Sequence, residues 1–130
     1  MSSHFTVGQF PQTRLRRNRQ QSWSRSLVAE NSLAPEDLIW PVFIREENVE
    51  ADFKTLPGVK RYLISELLEE VRKLTALGLK SVMLFPVING SKRDEGATEA
   101  FNEEGLLCEA VRSLKSHFPD IGVITDVALD

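Results

Sequence analysis

Two carboxylates stand at the end of a stretch that otherwise has the composition of a buried strand. Residues 122–130 read Gly-Val-Ile-Thr-Asp-Val-Ala-Leu-Asp, so Asp126 and Asp130 follow a run of β-branched apolar residues. An unpaired carboxylate in such a run is costly, and carboxylates at the ends of parallel strands are often functional. Asp126 and Asp130 are therefore candidate site residues. The alternative is a structural Asp that accepts a backbone N–H from a neighbouring loop or helix.

The spacing of the two carboxylates limits what they can do together. Four residues of extended strand span about 13 Å, so Asp126 and Asp130 cannot bind one ion while the strand stays straight. Either Asp130 lies in a following loop that folds back, or the two carboxylates have different tasks. The sequence has no Cys/His cluster of zinc-ligand spacing, and His4 and His117 are predicted to lie in a leader and at a helix end.

Alternating strands and amphipathic helices precede these carboxylates. Apolar runs predict strands over residues 38–44 and 80–88, and residues 122–130 open a third. Apolar residues at helical spacing predict two helices, over 65–77 and 102–118, with Ser65 and Asn102 as their N-caps. Residues 45–62 and 89–100 are predicted loops. Pro41 fits a strand only near its start or at an edge.

This order of elements predicts an α/β fold with parallel strands. Two architectures compete, a doubly wound sheet and a (β/α)8 barrel. The absence of a Gly-rich phosphate loop after the first strand counts against a dinucleotide-binding sheet. A barrel places its chemistry at the carboxyl ends of strands, where Asp126 lies. Because a full barrel takes roughly 250 residues, we expect the chain to be the front part of a larger enzyme, with exposed strand edges and poor stability alone.

The charge of the chain is unevenly distributed. Residues 1–30 contain five Arg and one Glu, a net charge of +4, whereas the whole sequence has −3 and the remainder therefore −7. The basic run covers residues 13–19, and Trp23 and Leu27 add apolar anchors on a predicted short helix over 22–30. Such an arm can bind the acidic body of another subunit, bind nucleic acid, or remain a solvated tail.

The composition is that of a soluble globular chain, with 42% hydrophobic and 27% charged residues. No apolar run is long enough for a membrane span, and no secretory signal is present at the N-terminus. Cys108 is the single cysteine, so an internal disulfide is impossible, which favours a cytoplasmic protein in which Cys108 is a packing residue.

Five segments together resemble the δ-aminolevulinic acid dehydratase, or porphobilinogen synthase, family. They are Arg14-Leu15-Arg16-Arg17, Leu38-Ile39-Trp40-Pro41-Val42-Phe43, Leu56-Pro57-Gly58-Val59, Leu84-Phe85-Pro86-Val87 and Ile124-Thr125-Asp126-Val127-Ala128-Leu129-Asp130. The resemblance implies a (β/α)8 barrel whose first β-α-β-α-β portion is residues 34–130. It also implies that residues 1–33 form an arm that wraps a neighbouring subunit, usually within a homo-octamer.

The family condenses two molecules of 5-aminolevulinate to porphobilinogen with loss of two waters, in tetrapyrrole (haem, chlorophyll and cobalamin) biosynthesis. The resemblance implies this activity for the full-length protein, a lyase, with no nucleic-acid or membrane partner. The two lysines that form Schiff bases lie beyond Asp130 in the family, so we expect this chain alone to be inactive. Two alternatives are another Schiff-base barrel of the aldolase type and a nucleic-acid-binding protein that uses the basic arm.

The resemblance assigns roles to few residues of this chain. Asp126 matches the catalytic Asp beneath the substrate amine, where a carboxylate orients or deprotonates an ammonium. The zinc-dependent members have Cys ligands at the positions of Ala128 and Asp130. Because Ala cannot ligate and Asp is a hard oxygen ligand, the resemblance implies the zinc-independent type, with magnesium more suitable than zinc and Asp130 as a candidate metal ligand. The loop over 89–100 is expected near the mouth of the active site.

Overall fold

The computed structural model describes residues 8–127, and the chain divides into two compact units, residues 1–33 and 34–130. The first unit contains two short helices, α1 (Arg17–Gln20) and α2 (Ser22–Leu27). The helix predicted over 22–30 thus ends earlier than expected. Gln21 separates the two helices because its backbone is extended, and the Ser24 hydroxyl ties them together by donating to the carbonyl oxygens of Asn18 and Gln21.

The second unit is a four-stranded parallel sheet with two helices, which confirms the predicted α/β class. The strands lie in the order β2-β1-β3-β4, and their bounds are β1 Ile39–Arg45, β2 Arg61–Tyr62, β3 Ser81–Val87 and β4 Gly122–Thr125. The helices are α3 (Ile64–Ala76) and α4 (Leu106–His117). The three predicted strands are all present, with bounds that differ by a few residues.

Strand β2 is the element that the sequence prediction missed, because residues 45–62 were predicted as a loop. The strand is only two residues long and pairs with β1 at Phe43 and Ile44. Two arginine side chains add hydrogen bonds around β2. Arg45 Nε at the end of β1 donates to the Arg61 carbonyl. Arg61 donates to the carbonyls of Glu50 and Asp52 in the segment before β2, both at 3.0 Å. Arginine side chains therefore hold β2 in place where a two-residue strand makes few backbone hydrogen bonds.

Pro41 lies inside β1, where its missing N–H would interrupt a fully paired ladder. Strand β3 runs beside β1 along its whole length, but β2 pairs with β1 only at Phe43 and Ile44. Pro41 therefore lies before the stretch of β1 that β2 flanks, in agreement with the predicted edge position.

Helices α3 and α4 pack on one face of the sheet and form the core with it. Their apolar residues recur at helical spacing, so one stripe of each helix is buried while the charged residues stay outside. The buried core consists of Val42, Ile44, Leu67, Val71, Leu79, Val82, Leu84, Leu106, Ala110, Leu114 and Ile121.

The starts of both helices differ from the predicted caps. Helix α3 has Leu63 at its N-cap, whose N–H donates to the Glu66 carboxylate at 2.9 Å, so Glu66 and not Ser65 supplies the side-chain cap. Helix α4 begins three residues later than Asn102 would allow, after Gly105. Asn102 instead accepts the N–H of Glu104 at 3.0 Å and caps the preceding turn.

Candidate active site

Strand β4 places Asp126 at the carboxyl edge of the parallel sheet. The strand ends at Thr125, which pairs with Leu84 of β3, and Asp126 follows directly with an exposed side chain. Ala128 and Asp130, the other two positions of interest, lie outside the described residues. Since all four strands are parallel, their carboxyl ends meet at this edge, which is where α/β proteins gather functional groups.

The register of β4 determines which face of the sheet Asp126 shares. Val123 pairs with the buried Val82 and packs on the helix-covered core, whereas Ile124 pairs with Met83 on the opposite face. Side chains alternate along an extended chain, so Asp126 falls on the same side as Ile124. If β4 continued to pair with β3 beyond Thr125, Asp126 would lie beside Phe85. The carboxylate therefore belongs to the face that the helices leave uncovered.

Aromatic rings occupy this uncovered face near the carboxyl edge. Phe43 lies between Phe53 and Phe85, with ring centroids 4.9 Å and 5.5 Å away. The Arg61 guanidinium lies 3.7 Å from the centroid of Phe53 and extends this aromatic cluster. These rings make an apolar floor, and the face combines that floor with a carboxylate. Such a surface suits a small substrate that carries an ammonium group.

A Schiff-base lysine needs a lowered pKa, and two of the six lysines of this chain have the opposite. The pKa of Lys73 is raised by its hydrogen bond with Glu70, and that of Lys92 by its hydrogen bond with Glu46. Lys115 donates to two carbonyl oxygens beyond the end of α4, at 2.9 Å and 2.7 Å. The other three are Lys54, Lys60 and Lys80, all exposed.

The loop predicted over residues 89–100 contains short turns and takes part in one ion-pair cluster with a distant residue. Two 3-10 turns, Gly90–Lys92 and Thr98–Phe101, lie within or next to it. Lys92 forms an ion pair with Glu46 and lies 3.7 Å from Glu99. Sequence reasoning missed this cluster because its members lie far apart in the chain, and no local pattern pairs them.

Residues 8–127 contain no group of three or more His, Cys, Asp or Glu side chains arranged to hold a metal ion. Asp130, the candidate metal ligand, lies outside the described residues. Cys108 is half-buried on α4, and His117 lies at the end of that helix, where its Nδ1 is 2.9 Å from the Ser113 carbonyl oxygen. His4 lies outside the described range. In the part of the chain that the structure describes, no helix has the length and apolar character to cross a membrane.

Comparison with known proteins gives one consistent family. The model of the family described as delta-aminolevulinic acid dehydratase matches residues 12–130. A delta-aminolevulinic acid dehydratase of Bradyrhizobium diazoefficiens is 42% identical over 118 residues, which are 90% of this chain and 33% of the relative. The enzyme of that name from Chlamydia pneumoniae is 39% identical over 90% of this chain and 36% of its own length.

A solved structure agrees with the sequence comparisons. The Toxoplasma gondii delta-aminolevulinic acid dehydratase (porphobilinogen synthase), in complex with the reaction product porphobilinogen, matches with a TM-score of 0.83 and 38% identity. The match covers 90% of this chain and 33% of that one. The chain thus spans about a third of the length of these relatives and corresponds to the N-terminal part of their barrel. The aldolase-type alternative is wrong, since the matches fall in a different family.

Proposed function

The chain belongs to the delta-aminolevulinic acid dehydratase family, and from that premise we propose that it is the first third of a porphobilinogen synthase. The complete enzyme would condense two molecules of 5-aminolevulinate to porphobilinogen with loss of two waters, a step of tetrapyrrole biosynthesis. The observation that carries this proposal is Asp126, which follows β4 at the carboxyl edge of the sheet and lies in the segment that matches the family.

Asp126 is proposed to bind and orient the substrate amine. Its side chain is exposed, and continued pairing of β4 with β3 would set it on the face that the helices leave uncovered, next to Phe85 of the apolar floor. A carboxylate attracts an ammonium ion there and, once the amine is close, can accept a proton from it. The apolar floor would keep water away from one side of the substrate and strengthen that attraction.

The chemistry of Schiff-base formation is proposed to come from lysines outside this sequence. The pKa values of Lys73 and Lys92 are raised, the opposite of what a nucleophilic amine needs. Residues 1–130 are therefore proposed to supply part of the substrate pocket and no covalent catalyst. The chain alone should form no porphobilinogen.

The family is metal-dependent in general, and we propose magnesium over zinc for this member. The donor set supports this choice: Ala128 offers no ligand atom, and Asp130 offers a hard oxygen where a thiolate would suit zinc. Bound magnesium would supply a hard, positively charged Lewis acid.

Residues 1–33 are proposed to form the contact arm of a homo-oligomer, an octamer in the complete cytoplasmic enzyme. Within this unit Leu15, Trp23 and Leu27 are each at least 66% exposed. They alternate with five arginines. Large apolar and guanidinium side chains together are typical of interface residues.

The test is a chimera in which residues 12–130 replace the matching stretch of the Bradyrhizobium diazoefficiens relative. The rest of that relative would supply the Schiff-base lysines, and formation of porphobilinogen from 5-aminolevulinate would be measured after chelation with magnesium or zinc added back. We expect product, stimulation by magnesium and no zinc requirement, with Asp130→Ala weakening the magnesium response.

The unaltered relative serves as the control for assay and metal content. A chimera that folds, as judged by circular dichroism and gel filtration, but forms no product would contradict the proposed function. Strict zinc dependence would contradict the proposed metal alone.

A further inference from the structure

Three charged side chains at the carboxyl edge of the sheet form a cluster that no sequence pattern indicates. Lys92, in the turn after β3, donates a hydrogen bond to Glu46, which follows β1, and its Nζ lies 3.7 Å from Glu99 Oε1. The two carboxylates are largely withdrawn from water, with 18% and 16% of their side chains exposed. One ammonium is thus shared between two segments of the chain.

This cluster is less exposed to water than two of the other ion pairs of the described residues. Lys73 and Glu70 pair within one helix, and Glu104, which pairs with Arg112, is almost fully exposed. Exposed pairs of that kind contribute little because water screens them. By contrast, the Oε1 atom of Glu99 is buried and has no hydrogen-bond donor among the described residues, so the charge of Lys92 is what offsets it.

The rest of the segment after β3 is held together by its own contacts. Asp94 accepts hydrogen bonds from the backbone N–H and the hydroxyl of Thr98, and the Asn102 amide donates to Glu99 Oε2 at 3.1 Å. These bonds fold the segment locally but do not join it to β1. Lys92 and Glu46 make that connection, so without Lys92 we expect the segment to keep its turns and its contact with Arg112 of α4, and to lose its attachment to β1.

We propose that Lys92 is a positioning residue that clamps the segment 89–105 to the end of β1 and so fixes the rim of the substrate pocket. The proposal rests on the proposed function. Lys92 acts through Glu46 and Glu99, and its ammonium is already engaged by both carboxylates. Its loss should therefore weaken substrate binding more than it slows the chemical step. Asp126 follows β4 at the same edge of the sheet, so a displaced segment should alter the pocket.

The first arm of the test measures the clamp without reference to activity. Phe101 is 71% exposed and lies within the segment, so chymotrypsin cleavage after Phe101 in the chimera reports how firmly the segment is held. Lys92→Met should raise the cleavage rate about fivefold and remove its dependence on sodium chloride, because an ion pair of about 1 kcal/mol is lost. Lys92→Arg should behave as the parent does. Lys73→Met is the matched control, a lysine removed from an ion pair within one helix.

The second arm measures the kinetics of porphobilinogen formation in the same variants. Lys92→Met should raise KM several-fold with kcat little changed, and Lys92→Arg should restore KM. Cleavage of Lys92→Met at the parent rate and with the parent salt dependence would overturn the clamp. Faster cleavage with unchanged KM would overturn the positioning role. If the folded chimera forms no product, the proposed function fails, while the cleavage rates still decide whether the clamp exists.

Discussion

The two faces of the sheet have different surroundings, and the difference separates stability from function. On the face that α3 and α4 cover, Val42, Ile44, Val82 and Leu84 are at most 2% exposed. On the opposite face, Phe43 and Phe85 are only half-buried. Alternate residues of the same strands thus belong to two environments. The covered face stabilises the unit, and the uncovered face carries the aromatic floor and the side on which Asp126 falls.

The largest expected effect is a loss of stability, and it should differ between two neighbouring residues of β3, Leu84 and Phe85. Leu84→Ala should lower the free energy of unfolding by about 3 kcal/mol, because it leaves a cavity in a closed core. Phe85→Ala removes a larger side chain but should cost less, since that ring is half-buried on the uncovered face. Urea unfolding of the two variants of this 130-residue chain, followed by circular dichroism, would measure the difference between their free energies of unfolding. A greater loss for Phe85→Ala would refute the contrast between the two faces.

A smaller effect is expected on the edge strand β4, where the same contrast appears in adjacent residues. Val123→Ser should cost about 1 kcal/mol because Val123 packs on the core. Ile124→Ser should change stability little, since Ile124 is 37% exposed on the other face. The measurement is the urea concentration at the unfolding midpoint of each variant, Val123→Ser and Ile124→Ser. Equal losses would mean that both faces of β4 are packed alike in solution.

The smallest effect concerns the turn after β3, which lies outside both faces of the sheet. Hydrogen bonds from Thr98 lower the pKa of Asp94 below its ordinary value of 3.8. A lowered pKa means that the ionised group stabilises the folded turn above the ordinary pKa, and that this contribution is lost as pH falls through the lower, folded value. In NMR spectra, the chemical shift of the Thr98 backbone amide should therefore stay constant above about pH 5 and change as the pH falls below about 4. Asp94→Asn, which does not titrate, should abolish that shift.

The sequence predicted much of this fold because its signals are local. Continuous apolar runs located β1, β3 and β4, and helical spacing of apolar residues located α3 and α4. The prediction failed at β2, where Arg61 and Tyr62 carry no apolar run and the strand depends on long-range arginine contacts. It also placed the start of α4 too early, because an Asn that caps a turn looks the same in sequence as one that caps a helix.

The candidate site was only partly predictable for the same physical reason. Asp126 became a candidate because a carboxylate after a β-branched run is a local inconsistency. The cluster of Lys92 with Glu46 and Glu99 depends on contacts between residues more than forty positions apart, as for Lys92 and Glu46. No period or motif encodes such a contact. The edge-to-face contact of Phe43 and Phe53 likewise becomes visible only when the chain is folded.

One measurement tests the central claim, that the carboxyl end of β4 carries the catalytic carboxylate. Asp126 and Asp120 lie beyond opposite ends of this strand, and both are exposed. In the chimera, Asp126→Asn should reduce kcat/KM for porphobilinogen formation at least about a hundredfold, because a group that orients and deprotonates the amine is lost. Asp120→Asn should leave kcat/KM near that of the chimera. Equal activity of the two folded variants would contradict the account.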